Sequence, residues 1–167
     1  MDDLKTGQQL FEYPNYIAIS NSGDIFVTDS GTRTITQTDL TLCNTQTITN
    51  PILKPPLGIV FVNTDQLLVA VPDDHSIVAL NLIRGTVTPL LGKKDGIRKP
   101  RAVAWCPASK KLYVSLGHNV NAKFLKVFNH EWMGRRGLFA TSGQPSQFAN
   151  RTLSYLFKMI LEQSLFS

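Results

Sequence analysis

The sequence predicts an all-β chain, a fragment of a β-propeller with about three four-stranded blades, and three observations carry that prediction. The first is a recurrence. Pro14-Asn-Tyr-Ile-Ala-Ile, Pro56-Leu-Gly-Ile-Val-Phe and Pro100-Arg-Ala-Val-Ala-Trp open three stretches whose prolines stand 42 and 44 residues apart. The second is a matching run after each opening: Asp24-Ile-Phe-Val, Gln66-Leu-Leu-Val and Lys111-Leu-Tyr-Val are short β-branched, aromatic or leucine stretches bounded by turn residues. The third is a gradient within each unit. First strands are almost wholly apolar, as buried strands are, whereas third and fourth strands are more polar, as strands near a rim are. Repeats of about 40 to 50 residues with this make-up mark propeller blades or a related array.

Each element has its own local signal. Residues 1–13 form a turn-rich lead-in ending at Pro14, whose fixed φ suits entry into a strand. Tyr16–Ser20, Asp24–Thr28, the Thr-rich stretch around Ile35 and Leu40–Ile48 make the first meander, within residues 14–55. Residues 56–99 repeat it with Gly58–Val62, Gln66–Val71, Ser76–Leu80 and Thr86–Leu91, turning at Pro72-Asp-Asp-His75 and Gly85. Residues 100–151 supply Ala102–Cys106, Lys111–Leu116, a turn at Gly117-His-Asn119, Lys123–Phe128 and a last strand near Leu138–Thr141. From residue 152 the pattern changes. Leu153, Leu156, Phe157, Ile160 and Leu161 fall at helical spacing behind Asn150 or Thr152 as N-cap, so residues 152–167 read as a short amphipathic helix or a divergent tail, able to cap the last blade.

Composition narrows the class. A hydrophobic share of 43 % over 167 residues is that of a globular chain with its own core. Seventeen Lys and Arg against twelve Asp and Glu give +5, which favours an acidic partner, RNA or an acidic protein face. Cys43 and Cys106 have no metal-ligand spacing and read as buried free thiols of a reducing compartment. The start, Met-Asp-Asp-Leu-Lys, has no apolar leader, and the longest apolar run, Leu57–Val62, falls far short of the roughly 20 residues a membrane helix needs. The expectation is a cytoplasmic protein without a membrane partner.

These residues resemble the NHL-repeat family, in a divergent and partial form. The resemblance rests on the Pro-x-x-Ile/Val openings, on Ile25-Phe-Val-Thr-Asp29-Ser, and on the linker Val87-Thr-Pro-Leu-Leu-Gly92-Lys-Lys-Asp-Gly96 running into Pro100. Gly143-Gln-Pro-Ser-Gln-Phe148 looks like another such linker. The sequence departs from the pattern where Val71 and Leu116 replace the aspartate that ends the second strand. The resemblance implies a non-catalytic recognition propeller, such as the substrate-binding part of a tripartite-motif ubiquitin ligase. Its RING and B-box zinc modules have no counterpart among these residues, because no Cys-x-x-Cys occurs.

Three blades do not close a ring of the usual four to eight, so the remaining blades or another copy are needed to cover the ends. The rim that carries the loops between second and third strands and the links between blades would hold Arg33, Lys54, Lys93, Lys94, Arg98, Lys99 and Arg101, against Asp73, Asp74 and Asp95. This net basic face suits a protein partner or single-stranded RNA, although stacking aromatics are missing from those loops. A different class, a metal-dependent lyase or lactonase propeller, would need Asp29, Asp73, His75 and His118 as ligands. As turn residues, Asp29 and Asp73 are explained more simply by bonds to their own backbone. Nothing marks a cofactor site or a nucleophile. Phe61 and Trp105 hold the same repeat position and read as core. Asn150-Arg-Thr152 matches a glycosylation acceptor that matters only in a secreted chain.

Overall fold

Runs of β-branched and aromatic residues, each ended by a tight turn, fold into eleven strands within residues 10–117 and 124–129, the part of the chain that the computed structural model describes. They form three antiparallel sheets, each paired in sequence order. Sheet 1 holds β1 (Pro14–Ile19), β2 (Ile25–Asp29), β3 (Thr34–Thr38) and β4 (Thr45–Ile48). Sheet 2 holds β5 (Ile59–Asn63), β6 (Gln66–Val71), β7 (Ser76–Asn81) and β8 (Thr86–Leu91). Sheet 3 holds β9 (Pro100–Cys106), β10 (Lys111–Leu116) and β11 (Phe124–Asn129). Left-handed residues reverse the chain between strands: Arg33 at φ 60°, His75 at φ 53° and Gly85 at φ 62°.

The period of two along each strand decides what packs where. In β6, Leu67, Val69 and Val71 join Ala18, Phe26 and Ile35 of sheet 1 in one apolar cluster. The intervening Leu68 and Ala70 join Val103, Trp105, Leu112 and Val114 of sheet 3 in another. Sheet 2 is therefore a filled layer between two others. Phe61 meets Phe26 edge to face across the first seam, with ring centroids 5.3 Å apart, and Trp105 is buried in the second. Both hold the core role that their shared repeat position predicts.

The expected burial gradient needs correcting. Every residue of β6 is buried, and so is all of β7 but its last residue, whereas β1 is largely exposed, with Ile17 at 64 % and Ile19 at 63 %. Burial tracks position in the stack, because only sheet 2 has a described neighbour on both faces. Two local expectations also change. The fourth strand begins at Thr45, since Asp39 gathers the Thr41 N–H and hydroxyl, the Cys43 N–H and the Asn44 amide into a turn, leaving Leu40 exposed. Cys43 in that turn is exposed and Cys106 half-buried, so these free thiols are not core residues. The strand expected near Leu138–Thr141, the helix expected within residues 152–167, His118 and the acceptor at Asn150 lie outside the described residues.

Candidate interaction face

Four antiparallel strands bring the chain back to the edge where it started, so the β2–β3 and β6–β7 turns share an edge with the links between sheets. Hydrogen bonds tie this edge together. Asp29 at the end of β2 has no exposed surface, and its Oδ2 accepts the Glu12 N–H at 2.6 Å. Its Oδ1 accepts N–H groups from Tyr13, Gly31 and Thr32 at 3.0, 2.9 and 3.1 Å. Burial alone would raise its pKa, yet the four N–H donors outweigh that and hold the carboxyl below its ordinary value. Asp29 thus caps its own turn, as expected, and also clamps the lead-in to β1, which its place in the sequence does not reveal.

The second unit uses different groups for the same join. His75 Nδ1 accepts the Lys99 N–H at 3.1 Å, and Lys99 Nζ pairs with Asp73 Oδ1 at 3.2 Å. The link after β8 is itself ordered. A single 3₁₀ turn, Lys93–Asp95, is closed when Asp95 Oδ2 accepts the Gly92 N–H at 2.8 Å, and left-handed Gly96 ends it at φ 77°. Lys126 Nζ donates to the Asp95 carbonyl from β11 at 3.2 Å. Ile97 is fully buried beneath the link and anchors it to the core shared by sheets 2 and 3.

The seven basic residues expected on this face fall into three settings. Lys93, Lys94 and Arg98 stand on the β8–β9 link, with Arg33 in the β2–β3 turn and Lys54 on the link between sheets 1 and 2. Lys99 is half-buried and engaged with Asp73. Arg101 lies in β9 rather than in a loop, and its guanidinium meets the Tyr16 hydroxyl of β1. Burial raises the Tyr16 pKa, although Arg101 opposes it. This contact across the stack joins sheets 1 and 3, and its only sequence signal is that Tyr16 and Arg101 both lie beside the repeat prolines.

Of the four candidate metal ligands, Asp29 spends both oxygens on backbone N–H groups, while Asp73 and His75 bond Lys99. Among the described residues no three His, Cys, Asp or Glu side chains cluster as a metal would require. On the outer side, a cleft of about 270 Å³ opens between sheets 1 and 2, where Gln37, Gln46 and Thr47 stand over Leu80 and Leu82.

The fold is that of a β-propeller, of which this chain supplies a fragment. A chain in the crystal structure of a nidogen/laminin complex superposes with a TM-score of 0.65 at 19 % identity, over 76 % of this chain and 48 % of that one. Hydrazine synthase of Kuenenia stuttgartiensis superposes with a TM-score of 0.58 at 15 % identity, over 80 % of this chain and 37 % of its own. A luciferin-regenerating enzyme gives 0.52 at 18 % identity, over 70 % and 42 %. The chain therefore spans about half the length of such propellers or less. Enzymes and binding proteins both occur among them. No family model and no curated protein matches the sequence.

Proposed function

We propose that this propeller fragment is a non-catalytic recognition scaffold that holds an acidic protein partner on the edge carrying the β8–β9 link. One observation carries the reading. Lys93, Lys94 and Arg98 stand on a link fixed by Gly92, Asp95, Ile97 and His75, while the carboxylate of Asp95 is drawn back onto the Gly92 N–H. A link whose backbone is already held adds little loop-ordering cost when its cations meet carboxylates, and unlike charges across an interface favour both encounter and register. The divergent NHL-like linker and openings support a tripartite-motif-like setting, in which the propeller selects a substrate for a ligase module carried elsewhere. A cytoplasmic site of action suits the free thiols of Cys43 and Cys106, the first of them exposed, because a reducing compartment keeps such groups unpaired.

Single-stranded RNA is the second reading, favoured by the same cations and by the exposed ring of Tyr13 beside the β2–β3 turn. Titrating the protein with polyglutamate and with oligouridylate at about 50 and 200 mM salt separates the two, since strand binding loses affinity with a log–log slope near 0.7 per neutralised phosphate. Lys93→Glu, Lys94→Glu and Arg98→Glu combined are expected to weaken polyglutamate binding at least tenfold with an unchanged circular dichroism spectrum. Tighter binding to RNA than to polyglutamate, with a steep salt slope, would select the second reading. Equal binding by the triple variant and the unaltered protein would remove the site.

A further inference from the structure

The outermost strands of the two four-stranded sheets hold the same place in the repeat and are finished differently. β8 carries Pro89, which has no N–H to offer, and its register with β7 is broken between Ile77 and Val78. Both features blunt an exposed sheet edge. β4, Thr45-Gln-Thr-Ile48, has neither a proline nor a charge, and it pairs with β3 without a register shift. Thr45, Gln46 and Thr47 are exposed, and no described strand pairs with the other side of β4. Alternate residues of such a strand turn their N–H and C=O groups outward, where another strand can meet them. The outer strand of a blade faces away from the axis, so this edge is the same in a ring of any size.

The cleft between sheets 1 and 2 lies along this edge. Gln37 and Gln46 form a cross-strand pair two residues along from Ile35 and Ile48, so both amides lie on the face that looks at sheet 2, over Leu80 and Leu82. Neither amide bonds another protein group among the described residues, and each offers two donors and an acceptor. At about 270 Å³ the cleft falls below the roughly 300 to 1,000 Å³ of small-molecule pockets and suits a side chain. No lining residue is charged. Arg84, exposed in the β7–β8 turn, stands next to the lining Gly85 and makes no ion pair among the described residues.

We infer that β4 takes an extended segment of a partner protein as a fifth strand, with an aliphatic side chain of that segment seated between Gln46 and Leu82 and an acidic residue near it meeting Arg84. Main-chain bonds along the edge supply affinity, and a pocket for alternate side chains supplies specificity. The neutral lining rejects a charged side chain in the cleft, which would lose its hydration without a counterion, whereas Arg84 outside the lining favours a negative one. The β8–β9 link takes no part, so this edge stands or falls separately from the basic one.

Selection of random peptides of about ten residues on the full chain, followed by fluorescence polarisation, tests it. Selected peptides are expected to alternate aliphatic residues and to carry Asp or Glu beside them. Methylating the backbone nitrogen of every second residue should abolish binding when those nitrogens face β4 and spare it one residue out of step. Gln46→Trp, an exposed position from which the indole fills the cleft, and Arg84→Glu should each weaken binding about tenfold with an unchanged far-ultraviolet circular dichroism spectrum. Lys93→Glu, Lys94→Glu and Arg98→Glu combined should leave it as it was. A library that yields no binder overturns the inference. So do peptides that bind equally after methylation in either step, that tolerate Gln46→Trp or Arg84→Glu, or that lose binding only in the link variant.

Discussion

Asp29 is shut off from solvent and yet held below its ordinary pKa, because four backbone N–H groups point at two oxygens. Removing the carboxylate leaves those donors facing a gap, so Asp29→Ala should cost about 2 to 3 kcal/mol in urea unfolding, with Asp29→Asn intermediate because one oxygen survives. The sign with pH comes from the lowered pKa. The carboxylate's contribution is fully present above its unfolded value of about 3.9 and is lost as pH falls through the lower folded value. The stability of Asp29→Asn should therefore depend less on pH below 4 than that of the unaltered protein; equal profiles would remove Asp29 as a clamp. Asp39 is lowered to about 2 by the Thr41 hydroxyl and the Asn44 amide, but it is only half-buried and its bonds stay within its own turn.

At the scale of elements, the chain entering β5 comes hard against β9 at Gly58. Its N–H donates to the Arg101 carbonyl at 2.7 Å, and a Cβ built there would stand 2.6 Å from that oxygen and 2.7 Å from the Ala102 Cα. Backbone cannot retreat as a side chain can, so Gly58→Ala should destabilise the protein by about 1 to 3 kcal/mol in urea unfolding followed by circular dichroism. An unchanged midpoint would mean that the seam between sheets 2 and 3 tolerates a wider spacing. The first unit has Tyr16 and the third Ala102 at the same repeat position, so this demand belongs to one seam rather than to the repeat. The repeat also explains why Asp29 has no acidic counterpart. Val71 and Leu116 at its position are buried in the seams, and His75 with Asp73 takes over the join to the next link.

The whole molecule is a stack whose middle layer has little stability of its own. Leu67, Val69, Val71, Val78 and Leu80 are at most 1 % exposed only because sheet 1 covers them. A chain beginning at Pro56 should expose that face, bind a hydrophobic dye and aggregate, as repeat units without their neighbours do. A soluble truncation with no gain in dye binding would show that the sheets stand independently. What the sequence determined by itself was the all-β repeat architecture and, among the described residues, the strands of each unit apart from the start of β4, because β-rich runs and the turn residues that bound them are local properties. Only the tertiary structure decided which apolar sides are covered, that Arg101 reaches Tyr16 rather than joining the loop cations, and that Asp29 collects donors sixteen and seventeen residues away. Those outcomes depend on which sheet is the neighbour, and a pattern within one strand carries no record of what lies across the gap.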